Sequence, residues 1–291
     1  MASFDGDAEK AIKSLEMSIR TLEEIGDKKE LASDMNKLAA IFEYVGMLDE
    51  AEKECIEAIR INPDFAEAHN NLGVLLYDLK RYDEAGEEYR DAIVINPDYA
   101  EAHNNLAILL YDLRRYEEAE EEYREAIRIN LDYAEAHNNL GFLLDDLGRK
   151  EEAEKEYRKA IALKDNLPDN GARAHNNLGF LLYDLGRKEE AEKEYRKAIG
   201  INHDYAEVHN NLGILLYNLG RTEEAEEEYR DAIRIKPDLA EAHANLGILF
   251  SETGKNEEAK KELETAKRLF DEQERYENLK KMEELLSSLK L

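Results

Sequence analysis

The sequence predicts an all-α repeat protein, and three observations carry that prediction. The same text recurs at a fixed period: His69, His103 and His137 are spaced by 34, His175 follows after 38, and His209 and His243 resume the spacing of 34. Within each period apolar residues return at helical spacing, as in Ala68, Leu72, Leu75, Leu76 and Leu79. Between the periodic stretches stand short breaks that carry Gly or Asn-Pro-Asp. A period of about 20–50 residues marks a stack of supersecondary units, each burying its apolar face only against its neighbours. Such a repeat overrides the two-domain expectation that 291 residues would otherwise raise.

Taken in order, the chain opens with an N-terminal segment, 1–31, in which residues 8–25 read as a lone second helix of a unit. Seven units follow at 32–65, 66–99, 100–133, 134–171, 172–205, 206–239 and 240–273, and a polar, helical-looking segment at 271–291 caps them. Each unit predicts two amphipathic helices. The first carries the apolar series above and stops at "LK-RY" or "LG-R". The second begins with acids and ends with bases, Asp83 and Glu84 early and Arg90 late, which complements a helix dipole. Asn-Pro-Asp then ends it, and Asp98 with Glu101 has the spacing of a capping box for the next helix. Residues 136–161 and 174–199 differ only at Asp145 against Tyr183, a mark of tandem duplication or of consensus-like engineering.

These residues resemble the tetratricopeptide repeat family over nearly the whole chain. The family pattern matches at Leu72, Gly73, Leu76, Ala85, Tyr89, Ala92 and Pro97, and again at Leu212, Gly213, Leu216, Ala225, Tyr229 and Ala232. The departures are local: His replaces an aromatic four residues before Gly73, Leu131 and His203 replace the proline, Cys55 replaces the tyrosine, and Ala39 and Ala107 replace the glycine. The four extra residues in "LKDNLPDNGARA" lengthen one inter-repeat loop and raise the expectation of a kink between the units starting at Ala134 and Ala172. The resemblance implies a right-handed α-α superhelix, a TPR solenoid of antiparallel helix pairs, whose concave groove is lined by the first helices.

Counting position one at Ala66 and turning about 100° per residue puts positions three, four, seven, eight, ten, eleven and fourteen on the core side of the first helix. Positions two, five, six, nine, twelve and thirteen fall opposite, with nine at the centre. Position six is Asn71, Asn105, Asn139, Asn177, Asn211 and Asn245. Carboxamides can bond both the N–H and the C=O of an extended peptide without reading its side chains. A ladder of this kind is similar to that of O-linked N-acetylglucosamine transferase superhelices; alternatively the amides bond their neighbours. Position five adds further amides, such as Asn70 and Asn210. Position nine is apolar throughout: Val74, Ile108, Phe142, Phe180, Ile214 and Ile248, where an amphipathic helix should be most polar. Position twelve gives Tyr77, Tyr111, Tyr183 and Tyr217, and position thirteen Asp78, Asp112, Asp146 and Asp184. The expected groove has an apolar floor, hydrogen-bonding walls and an acidic edge. It suits an extended or helical protein segment with apolar anchors and basic residues.

Composition narrows the function further. There are 68 Asp plus Glu against 40 Lys plus Arg, a net charge of -28 and a pI near 4.7, so nucleic acid and anionic membrane surfaces are not expected partners. The single cysteine, Cys55, makes no internal disulfide. No basic-then-apolar leader or membrane-spanning run is read, which raises the expectation of a cytoplasmic protein. The histidines recur one per unit on the core side, too far apart to share a metal, and no nucleophile elbow, phosphate loop or carboxylate pair stands out. The expectation is a non-enzymatic interaction scaffold without metal or cofactor. Two alternatives stand beside it: a self-assembling homo-oligomer held by residues 8–25 or 271–291, and a substrate-recruiting arm of a larger enzyme.

Overall fold

The computed structural model describes residues 4–163 and 171–289. Among them are sixteen α-helices and no strand. The first two are α1 (Phe4–Ile25) and α2 (Lys28–Tyr44), followed by α3 (Leu48–Ile61), α4 (Ala66–Asp78), α5 (Tyr82–Ile95), α6 (Ala100–Asp112), α7 (Tyr116–Ile129) and α8 (Ala134–Asp146). Then come α9 (Lys150–Ala162), α10 (Ala172–Asp184), α11 (Lys188–Ile201), α12 (Ala206–Tyr217), α13 (Thr222–Ile235), α14 (Ala240–Glu252), α15 (Asn256–Glu272) and α16 (Tyr276–Ser288). The chain divides after Leu143 into two compact units. In the first, α2 packs on α3, α4 on α5 and α6 on α7; in the second, α10 packs on α11, α12 on α13 and α14 on α15. This is the all-α fold of stacked antiparallel helix pairs. The long loop and the kink expected before Ala172 fall on residues 164–170, outside the described residues.

The core follows the helical spacing of the text. In α4 the series Ala68, Leu72, Leu75 and Leu76 is buried, and in α12 Val208, Leu212, Leu215 and Leu216 are fully so. Each second helix answers with two alanines and a larger side chain, as in Ala225, Tyr229 and Ala232. The glycine at position eight lets that tyrosine in. A Cβ built on Gly213 would lie 2.6 Å from the Tyr229 ring, and one on Gly73 2.6 Å from the Tyr89 ring. Side chains of about this size contribute roughly 2–5 kcal/mol each relative to alanine when fully buried.

The turn between the helices of a pair needs one residue in the left-handed region. Gly46, Gly186, Gly220 and Gly254 supply it with φ between 74° and 81°. In two pairs the same place is held by Lys80 (φ 61°) and Arg114 (φ 60°), which adopt that conformation at a cost glycine does not bear. The capping box read from Asp98 and Glu101 does not form. The residue preceding α6 is Tyr99, with no side-chain cap, and it is Asn96 whose Oδ1 accepts from the Asp98 N–H at 3.2 Å. The carboxamide that ends one helix thus folds the link, and Asn130 and Asn202 repeat the bond. No helix among the described residues is long and apolar enough to cross a membrane.

Candidate peptide-binding face

Within each compact unit the first helices bring the singled-out residues into rows, because a constant repeat length returns the same helical position to the same face. The central row is apolar. Phe142 is 45% exposed and Phe180 49%, whereas Val74, Ile108, Ile214 and Ile248 are half-buried. In the first unit the Tyr111 ring stands edge-on to the Phe142 ring, centroids 5.6 Å apart, so that phenylalanine is held from one side and open on another. In the second unit Ile248 packs partly against the cluster formed by Leu263, Phe270 and Met282.

The amide rows bond each other across neighbouring repeats. In the first unit Nδ2 of Asn71 donates to Oδ1 of Asn36 at 3.0 Å, Asn105 to Asn70 at 3.0 Å and Asn139 to Asn104 at 3.2 Å. In the second, Asn211 donates to Asn176 at 3.1 Å and Asn245 to Asn210 at 2.9 Å. Each of these five bonds runs from a position-six amide to the position-five amide of the preceding repeat. Asn177 accepts from its own neighbour, Asn176, at 3.4 Å. Position five, expected on the open face, is largely covered: Asn70 is 0% exposed and Asn210 7%, while Asn176 is half-buried. The reason is steric, since two first helices stacked side by side cover that flank of each other. One of the two N–H groups of each donating amide is therefore committed, and its geometry fixed, before any ligand arrives.

The tyrosine and acid rows are also cross-braced. The Tyr77 hydroxyl donates to Oδ2 of Asp112, the Tyr217 hydroxyl to Oε2 of Glu252, and Nδ2 of Asn218 donates to the Tyr183 hydroxyl at 2.7 Å. Burial, followed by that Asp112 bond, pushes the Tyr77 phenol well above its ordinary range, so it stays protonated and donates. Lys150 approaches Asp184 at 3.2 Å. The acidic edge is thus partly spent within the fold, in carboxylates that still reach solvent, such as Asp112 and Asp184. Asp78 and Asp146 complete that row at the ends of α4 and α8.

The histidines form a separate, buried system. His69 places Nδ1 2.7 Å from Oε2 of Glu88 and Nε2 3.2 Å from the Pro63 carbonyl. The same two contacts recur at His103 with Glu122 and Pro97, at His209 with Glu228 and His203, and at His243 with Glu262 and Pro237. Each imidazole ties its own second helix to the link that precedes its first. In His69, His103 and His209, with a carbonyl at one ring nitrogen and a carboxylate at the other, both positions favour a proton. Accordingly the Glu88 bond, opposed by desolvation, holds His69 above its usual pKa. Desolvation is the largest effect on His103 and His209 and pulls downward, but the carboxylate and carbonyl partners outweigh it and both are raised. His69, Glu88 and Asp91 bring ligand atoms within 4.8 Å of one another, yet the Glu88 carboxylate is engaged by the imidazole, so the group reads as an ion pair. Sequence reasoning misses these glutamates, although each stands 19 residues after its histidine. Cys55 is buried, and burial pushes its thiol up to about 12, which leaves it a poor nucleophile.

Tetratricopeptide repeat models match residues 64–132 and 132–202, a TPR repeat model matches 215–254 and another tetratricopeptide repeat model 240–272. Residues 1–45 match the model of anaphase-promoting complex subunit 5. No curated protein matches the chain. Among solved structures, the APC/C hetero-tetramer Cut9-Hcn1 is similar with a TM-score of 0.70 and 16% identity, over 83% of this chain and 47% of that one. The chain thus spans about half the length of that relative. A tetratricopeptide repeat protein from Parabacteroides merdae ATCC 43184 gives a TM-score of 0.66 at 19% identity, covering 86% of this chain and 98% of that one. YrrB, a TPR protein with an unusual peptide-binding site, gives 0.50 at 23%, covering 65% and 95%. At these identities the likeness speaks for the fold. Matched by repeat models from residue 64 through most of its length, and built of the helix pairs they describe, the chain belongs to the tetratricopeptide repeat family.

Proposed function

We propose that the chain is a non-catalytic protein-interaction scaffold that receives an extended or helical peptide segment on the face of its first helices. The observation that carries this reading is the apolar row at position nine, with Phe142 and Phe180 nearly half exposed where packing alone would leave polar side chains. Large, fixed aromatic rings in a polar surround are the residues that dominate binding energy in such surfaces. Beside that row, Asn71, Asn105, Asn139, Asn211 and Asn245 each keep a carbonyl oxygen and a second N–H beyond the bond to the preceding repeat, enough to meet a peptide backbone. The surrounding carboxylates and the net charge of -28 favour a segment with Lys or Arg between apolar anchors. A peptide array of basic-apolar, neutral-apolar, polar and acidic segments tests this. Retention of the first class with rejection of the acidic one is expected; retention of acidic segments would overturn it.

Homo-oligomerisation through residues 8–25 or 271–291 is the competing reading, favoured by Met17 and Ile25 on α1, 69% and 70% exposed, and by Tyr276 at the start of α16, 65% exposed. A molar mass by light scattering that rises with concentration would favour it over a monomeric scaffold.

A further inference from the structure

The helix pair α2–α3 lacks the buried imidazole of the later pairs, so the carboxylate that the imidazole would bond faces a groove unpartnered. Met35 holds position four of its unit, the position of His69, His103, His209 and His243 in theirs. Glu54 stands where Glu88 meets His69, again 19 residues on. Nor is there a link carbonyl to take the place of Pro63. Six residues before Met35 the chain is already in the first turn of α2, because α1 and α2 are joined by Gly26 and Asp27 alone. Among the described residues Glu54 has no hydrogen-bond or ion-pair partner, although it is partly buried and desolvation pushes its carboxyl above the ordinary range.

Between α1 and α3 lies a cleft of about 510 Å³ with Met35 as its floor and the half-exposed Ile56 at its rim; in the corresponding groove beside His243 the carboxylate, Glu262, is already bonded to the imidazole. Its remaining lining is acidic: Glu23 from α1, and Asp49, Glu52, Glu54 and Glu57 from α3, against the one amine of Lys53. Two of these acids are engaged already, Glu52 by Arg81 at 2.6 Å and Glu57 by Arg60. Glu16, Glu23 and Glu57 act on Glu54 as like charges and Lys53 as the opposing one. In the pairs of His69, His103, His209 and His243 the corresponding carboxylate faces an internal group that can carry a proton.

We propose that the cleft between α1 and α3 is a second docking site, distinct from the first-helix face, that takes the Lys or Arg side chain of a partner protein segment with its flanking apolar residue on Met35 and Ile56. The ammonium or guanidinium supplies to Glu54 the charge-assisted hydrogen bond that the imidazole supplies to Glu88, and the aliphatic stem covers the floor. Nucleic acid and anionic lipid are excluded by the same carboxylates.

The test follows the ε-methyl NMR signal of Met35 during titration with an acetylated, amidated peptide in which one Lys is flanked by leucines, and with its twin carrying norleucine in place of Lys. The Lys peptide should move the Met35 methyl and bind about tenfold more tightly than its twin, the worth of one such bond. Glu54→Gln should erase the difference, Met35→His, read by calorimetry because it removes the methyl, should erase it too by bonding Glu54 internally, and Phe180→Ser should leave it unchanged. Equal affinity of the two peptides, or a Met35 methyl that does not move, would overturn the proposal. Loss of the signal in Phe180→Ser would instead assign the binding to the first-helix face and overturn it equally.

Discussion

Two helix pairs of one repeat family solve the same packing problem differently. In α12–α13 a glycine, Gly213, admits Tyr229, and His209 joins Glu228 to the carbonyl of His203. In α2–α3 the corresponding residues are Ala39, Cys55, Met35 and Glu54. The smaller Cys55 pairs with the larger Ala39, so both positions remain buried, 2% exposed each. The polar half of the exchange is not compensated in that way: replacing His by Met removes a donor and leaves its acceptor standing. The comparison teaches that the apolar pattern of a repeat tolerates a change of side-chain size with both positions still buried, whereas a buried ion pair that loses one partner leaves the other unbonded.

The widest contrast is expected from the acceptor itself. Glu228→Ala strips the buried His209 of its carboxylate and should cost about 2–3 kcal/mol, seen as a lower urea midpoint and faster amide exchange in α12 and α13. Glu54→Ala, with no such partner, should change stability by less than about 0.5 kcal/mol. Equal losses would mean that Glu54 has a structural partner after all. Next, Gly213→Ala pushes a methyl to 2.6 Å from the Tyr229 ring and should cost about 1–2 kcal/mol. In the double variant with Tyr229→Cys the clash is gone, so the added methyl should cost less there than it does beside the native Tyr229.

Smaller effects sharpen the picture. Lys80→Gly and Arg114→Gly bring to two turns the residue that Gly46, Gly186, Gly220 and Gly254 already provide, and each should stabilise by about 0.5–1 kcal/mol in thermal unfolding. The raised histidines set a pH dependence. The native chain holds those protons more tightly than the unfolded one, so their stabilisation is complete below about pH 6.5 and is lost as pH rises through the native values of His69, His103 and His209. The unfolding midpoint should fall over that interval, and His209→Gln should flatten the slope.

The fold was readable because its signals are redundant. The series Leu72, Leu75 and Leu76 and its copies fix each first helix, and the left-handed glycines and Asn-Pro-Asp links fix where each stops. The capping box failed because Asp98 belongs to an Asn96-directed turn, a choice between two short-range bonds that residue identity leaves open. Position nine could be placed at the centre of the face from periodicity alone. Position five could not, since a residue on the flank of that face is covered or open according to how closely the next helix stacks. The amide and phenol rows were found as rows, but their bonds run over 35 residues to the neighbouring repeat and needed coordinates to be seen. The His–Glu pairs were within reach of the text, through the constant spacing of 19 residues. Where that spacing lacks its histidine, at Met35, Glu54 is left unpartnered on the α1–α3 cleft.

The most direct test of the central claim, that the apolar row at position nine is the recognition element, is the affinity of basic-apolar peptides for the native chain and for the Phe142→Ser, Phe180→Ser double variant, by calorimetry with helicity checked by circular dichroism. The account predicts that the double variant loses at least about tenfold in affinity at unchanged helicity, since truncating an aromatic anchor of this kind costs about 2 kcal/mol or more. Unchanged affinity at unchanged helicity would contradict it and move the binding surface away from the first helices.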